Sequence, residues 1–155
     1  MTSPTRVSVI GGSTVTDRQY DQARAVGRQL GEAGYDLVCG GRGGVMEAVC
    51  AGASEAGGHT IGILPSARRS EANDHVQTAI ATGIGNARNP VVVMNGDAVV
   101  AVDGGPGTLS ELGHALDFGK PVAGLGTHRI EGAVGERIEH VETVEAAVAH
   151  VEREV

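Results

Sequence analysis

The chain has 155 residues, enough for one domain, and its 12 Lys+Arg against 19 Asp+Glu give a formal charge of −7. An acidic balance, with Lys120 as the single lysine, offers no basic field to hold a phosphate backbone, so nucleic acid is not an expected partner. With 41% hydrophobic but 2% aromatic residues, the core must be built from Val, Ile, Leu and Ala, and the 25 glycines are clustered between apolar runs without a collagen period.

Short β-branched runs alternate with stretches of helical period along the whole chain, and glycine occurs where each run ends. Val7 to Ile10 reads as the first strand. After Gly11, Gly12 and Ser13, Thr16 with Gln19 three residues on forms a capping box for a helix striped by Ala23, Val26, Leu30 and Ala33. Tyr35 to Cys39 is the second strand, Gly40 to Gly44 a loop, and Val45 to Ala56 the second helix, stopped by Gly57 and Gly58. The third strand is Thr60 to Leu64; Pro65 to His75 has no period and is expected to be a flexible loop. A weaker strand at Thr78 to Ala81 leads through Gly83 and Gly85 to Arg88, Asn89 and a short helical turn opened by Pro90.

Asp97 to Val102 is the clearest strand. Asp103 to Gly107 then enters a helix, Thr108 to Phe118, whose stripe is Leu109, Leu112 and Leu116, and Pro121 to Leu125 is a further strand. Beyond Gly126 the pattern fades until Thr143, which caps a last helix carrying Val144, Ala147, Val148 and Val151 on one side. There is no repeat or linker, so residues 1–155 form one α/β domain. The strand–helix alternation predicts a mostly parallel sheet with helices covering both faces, a three-layer fold.

Cys39 and Cys50 lie in apolar surroundings and read as buried, reduced thiols; the six histidines lack metal-ligand spacing, so no metal is expected. Met1 to Arg6 is polar and no apolar run is long enough for a membrane span, which fits a cytoplasmic protein with no membrane partner. The helix Val45 to Ala56 is apolar around most of its circumference, more than one sheet contact can bury, and a homodimer is the expected cover.

Three glycine loops follow strands and precede helices: Gly11-Gly12-Ser13, Gly40-Gly41-Arg42-Gly43-Gly44 and Gly104-Gly105-Pro106-Gly107-Thr108. In a parallel sheet all three fall at the carboxyl edge, where helix N-termini gather unpaired N–H donors, and three together point to an anionic, nucleotide-like ligand. Any one of them alone reads more readily as a tight strand-to-helix turn that needs positive φ than as a phosphate site. No Gly-Lys-Ser/Thr is present, and no Gly-x-Gly-x-x-Gly with an acidic partner, so ATPase and NAD dehydrogenase readings lose support.

Gly40-Gly41-Arg42-Gly43-Gly44-Val45-Met46, followed by Asp103-Gly104-Gly105-Pro106-Gly107-Thr108-Leu109-Ser110-Glu111, resembles the paired signature of the LOG-like proteins. That family includes the Lonely Guy cytokinin-activating phosphoribohydrolases and the molybdenum-cofactor carrier proteins. The resemblance runs from about Val7 to Val122 and implies a Rossmann-like fold, usually homodimeric, with a phosphorylated nucleotide-like ligand at Gly11, Gly12, Ser13, Gly40, Gly41, Gly43, Gly44, Met46, Gly104, Gly105, Gly107 and Thr108. In the hydrolase members, an arginine and the final glutamate of the signature act on the N-glycosidic bond and release base and ribose 5-phosphate; by position these are Arg88 and Glu111. A carboxylate can stabilise the developing oxocarbenium ion while a guanidinium holds phosphate or the departing base.

Three departures place the chain nearer the shorter branch that contains the carriers: Asp103 for the signature's proline, Ser110 for a glutamate that many hydrolases have, and Asn89 after Arg88 where lysine is frequent. Hydrolase and non-catalytic carrier therefore both stay open, and no cofactor is implied. Thr108 with Glu111 also reads as a capping box, in which Glu111 faces away from the Leu109 stripe. The "lysine decarboxylase" label once given to the family finds no support, because Lys120 lies between Gly119 and Pro121, at the far end of its helix from the glycine loop.

Overall fold

The computed structural model describes residues 3–155; Met1 and Thr2, part of the polar N-terminal segment, lie outside the described residues. Seven strands form one sheet: β1 (Arg6–Gly11), β2 (Asp36–Cys39), β3 (Thr60–Leu64), β4 (Thr78–Ala81), β5 (Ala98–Val102), β6 (Val122–Leu125) and β7 (Ile138–Val141). Their order is β4-β3-β2-β1-β5-β6-β7, and every neighbouring pair is parallel. The helices are α1 (Asp17–Glu32), α2 (Val45–Glu55), α3 (Asn89–Met94), α4 (Pro106–Asp117) and α5 (Val144–Glu154).

The two-residue period of the strands divides the core. On β5, Ala98, Val100 and Val102 pack with Val7 and Val9 of β1 under α1, α2 and α5, while Val99 and Ala101 join Ile10 on the face covered by α3 and α4. Both faces are buried, which explains why central strands read as continuous apolar runs. The chain is a three-layer Rossmann-like α/β domain, parallel throughout.

Thr16 and Gln19 form the expected capping box, and Thr143 caps α5. The stripe of α1 differs from expectation: Ala33 is an exposed C-cap, and the buried positions beside Ala23, Val26 and Leu30 are Gly27 and Gly31. A Cβ on Gly27 would lie 2.0 Å from the Val49 carbonyl oxygen, and one on Gly52 2.0 Å from that of Arg24. The backbones of α1 and α2 therefore touch, and α1 takes the α2 surface that the sheet leaves free. The apolar circumference of α2 is buried within one chain, so it no longer argues for a partner subunit.

β7 was not expected; only Ile138 of its four residues is buried, too little to register as a pattern. The segment Pro65 to His75 is not loose but tied over the second glycine loop. It contains a turn of 3-10 helix at Arg69–Glu71, Asn73 donates from its backbone to the Gly41 carbonyl (2.9 Å) and from its side chain to that of Arg42 (2.8 Å), and Arg42 pairs with Glu71. Cys39 and Cys50 are free and buried as read, with their sulfurs 3.4 Å apart. Among the described residues no helix is long and apolar enough to cross a membrane.

Candidate functional site

Strand order reverses between β1 and β5, so the loops leaving their carboxyl ends turn to opposite sides and open a crevice there. A cavity of about 210 Å³ occupies it. Of the residues expected at a site, Gly11, Gly12, Ser13, Gly40, Met46, Arg88, Gly105, Gly107, Thr108 and Glu111 all line its wall. Gly104 instead lines an adjoining cavity. Gly41, Gly43 and Gly44 line neither; Gly41 and Gly44, at φ +79° and +65°, have structural reasons, since a Cβ would strike Leu64 from the first and the Gly12–Ser13 backbone from the second.

The N-terminus of α4 supplies the donors. Its N-cap, Gly105, has no side-chain cap, Pro106 lacks an N–H, and Leu109 donates to the Gly105 carbonyl (3.1 Å), which leaves the amides of Gly107 and Thr108 without an intrahelical acceptor. By contrast, the first turn of α1 is satisfied by its own capping box.

The helix starts two residues earlier than its expected start at Thr108, and this overturns the capping-box reading of Thr108 and Glu111. Thr108 is inside the first turn and buried, and Glu111 is only 8% exposed. The expected stripe is rotated as well: Leu109 is 45% exposed, while Thr108, Glu111, Leu112, Ala115 and Leu116 form the buried face. Glu111 thus points into the cavity from the inward side of α4.

Arg88 reaches the same cavity from the end of a short 3-10 turn and is also buried. Its Nε donates to the Ile63 carbonyl (2.9 Å), and Nη1 donates to the side-chain oxygen of Asn89. A Cβ on Gly40 would come within 2.7 Å of both Nη2 and the Met46 sulfur, so glycine there is what admits the guanidinium. In the sequence Asn89 stands out only as a departure from lysine; its holding role follows from burial that no single-residue signal reveals.

Desolvation pushes the Glu111 carboxyl up to about 7, with the nearby Arg88 charge pulling the other way. Burial likewise lowers the Arg88 guanidinium, countered first by Glu111. The site therefore holds a carboxyl poised to ionise near neutrality, a guanidinium with part of its fork unused, and two free amides at a positive helix end. Such a set suits a phosphorylated ligand bearing a bond that breaks with positive charge development. No three His, Cys, Asp or Glu side chains converge as a metal site among the described residues.

Residues 4–154 match the model of the SLOG cluster4 family. The chain belongs to that family. Among solved structures, this SLOG protein is similar to the molybdenum cofactor binding protein of Rippkaea orientalis, with TM-score 0.89 and 33% identity over 99% of this chain and 98% of the other. The molybdenum cofactor carrier protein of Chlamydomonas reinhardtii gives TM-score 0.85 and 34% identity, with 98% of both chains covered. A probable cytokinin riboside 5′-monophosphate phosphoribohydrolase of Oryza sativa subsp. japonica is 36% identical over 112 residues, 69% of this SLOG chain but 46% of the relative. The chain spans about half the length of the phosphoribohydrolases it matches.

Proposed function

We propose that the protein binds a nucleoside 5′-monophosphate or a closely related phosphorylated ligand, with its phosphate on the amides of Gly107 and Thr108, and hydrolyses the N-glycosidic bond with Glu111 and Arg88. The observation that carries this reading is the convergence of a buried carboxyl, a buried guanidinium and an uncapped helix N-terminus on one cavity. Ionised Glu111 stabilises the oxocarbenium character that develops on the ribose or orients the attacking water, and Arg88 supports phosphate or the departing base. The phosphoribohydrolase relatives support the chemistry.

A carrier without turnover is the second reading. It is favoured by the near-complete overlap with the two molybdenum cofactor proteins and by Asp103, Asn89 and Ser110, where this chain departs from the hydrolase signature. Incubation of the protein with adenosine, guanosine, cytidine and uridine monophosphates, assayed for free base and ribose 5-phosphate, separates the two. Turnover that Glu111→Gln abolishes supports the hydrolase; saturable binding with no turnover supports the carrier.

A homodimer belongs to the same proposal through the family resemblance, with exposed Met94, Leu109 and Phe118 as apolar surface available to it; light scattering that gives a monomer at micromolar concentration contradicts it. Two unpaired thiols support a reducing, cytoplasmic location.

A further inference from the structure

Strand pairing between β5 and β6 ends at Val102 and Leu125, so the third glycine loop leaves the sheet with no ladder to hold it. Gly104 and Gly105 can rotate their peptide planes at little cost, and a rotated plane turns a carbonyl oxygen to where an anion needs an N–H. Asp103, at the entry to the loop, adds a strained step: its φ is +51°, the one positive value outside glycine among the described residues. Proline, which the family signature carries here, is fixed near about −65° and could not adopt it. Such a conformation persists where its surroundings over-determine it.

The surroundings are the segment that follows β6. Asp103 donates its amide to the Leu125 carbonyl (3.1 Å), Thr127 Oγ1 donates to the Asp103 carbonyl (2.7 Å), and His128 Nε2 donates to the Gly105 carbonyl (3.0 Å). A carbonyl only accepts, so the His128 ring carries its proton on Nε2. The Gly105 oxygen also accepts from Leu109 (3.1 Å), which occupies both of its lone pairs. Glycine lets this segment come close: a Cβ on Gly124 would lie 2.8 Å from the Thr127 methyl, and one on Gly126 3.1 Å from Asp103 Oδ1. Neither Thr127 nor His128 lines the first cavity; both reach the loop from outside it.

We propose that Thr127 and His128 are positioning residues of the phosphate site, which hold the carbonyls of Asp103 and Gly105 away from the anion and so fix the peptide planes leading to the free amides of Gly107 and Thr108. This rests on the phosphorylated-ligand reading above. Donors held rigidly need no reorganisation when a phosphate arrives, whereas a loop left to rotate must be ordered at that moment. The two side chains touch no ligand; their effect passes through the Gly105 backbone into the first turn of α4. A Thr-His-Arg run after β6 carries no sequence mark of this role.

The test is calorimetric titration of the full chain with the four nucleoside monophosphates, then of variants with the monophosphate bound most tightly and with its parent nucleoside, alongside thermal melting. Thr127→Val keeps the methyl over Gly124 and removes the donor; His128→Leu removes the ring donor. Each is expected to weaken monophosphate binding at least about 5-fold, to change nucleoside affinity less than about 2-fold, and to melt within about 4 °C of wild type. Thr127→Ser and His128→Gln keep a donor at the same reach and are expected to bind within about 2-fold of wild type. A loss shared equally by monophosphate and nucleoside, a loss that the Ser and Gln variants do not restore, or unfolding of both Thr127→Val and His128→Leu overturns the proposal by making the bonds merely structural. If wild type binds a monophosphate and Thr127→Val and His128→Leu bind it equally well, this inference falls alone; if wild type binds none, the reading beneath it falls as well.

Discussion

Glu111 shows how far one residue's meaning depends on a two-residue shift in a helix start. A spacing of Thr and Glu three apart suits a capping box, but with α4 beginning at Pro106 the pair lies inside the helix and the carboxyl is buried at the cavity. Its raised pKa, about 7, has a thermodynamic consequence. A carboxyl whose folded-state value exceeds its unfolded one favours folding in the protonated form. That contribution is complete below about pH 4.5 and is lost as pH rises through about 7, a penalty on the order of 3 kcal/mol when fully ionised. Glu111→Gln removes the titration, so its melting temperature is expected to gain on wild type between about pH 5 and 8 and to run parallel below. A gap independent of pH would show that the carboxyl is not desolvated. If base release occurs, it should rise through about pH 7 as Glu111 ionises, and fall by orders of magnitude in Glu111→Gln with nucleotide binding retained. Undiminished release in that variant removes Glu111 from the chemistry.

At the scale of elements, glycine carried two messages that the sequence did not separate. Gly27, Gly31 and Gly52 bring α1 and α2 into backbone contact, yet in a hydrophobic stripe they count as gaps, which is why the apolar pattern takes in Ala33 in place of Gly31. Gly27→Ala must push its Cβ against the Val49 carbonyl and is expected to cost about 1–3 kcal/mol, measured by denaturant unfolding. A substitution tolerated within about 0.5 kcal/mol would mean that the helices can separate freely. Gly104 and Gly105 are adjacent but opposite in kind. Gly104 has φ +127° and a Cβ there would strike Thr108 at 2.4 Å, whereas at Gly105, with φ −115°, a Cβ would meet nothing within 4 Å. Gly104→Ala is therefore expected to destabilise the fold, and Gly105→Val to spare it. Equal melting temperatures for the two variants would refute this division of roles.

For the whole molecule, the strand–helix alternation is legible because buried parallel strands write themselves as Val- and Ile-rich runs and because α1 opens at a capping box, Thr16 with Gln19. Strand β7 was not, because only Ile138 is buried and Glu139 and His140 interrupt its apolar ends, Ile138 and Val141. The glycine loops were legible as an edge of the sheet; the roles of Arg88 and Glu111 came from resemblance, and Asn89 and Asp103 became informative only through burial and backbone conformation. The order β4-β3-β2-β1-β5-β6-β7 then decides where a ligand fits, since only between β1 and β5 do the loops part. This crevice is the proposed seat of phosphate, at the α4 N-terminus. Its most direct test is calorimetric titration of wild type and Gly105→Val with a nucleoside monophosphate that wild type binds. Gly105→Val is expected to melt like wild type and to show no saturable binding, because its side chain occupies the approach to the Gly107 and Thr108 amides; a folded Gly105→Val that binds with wild-type affinity would place the phosphate elsewhere.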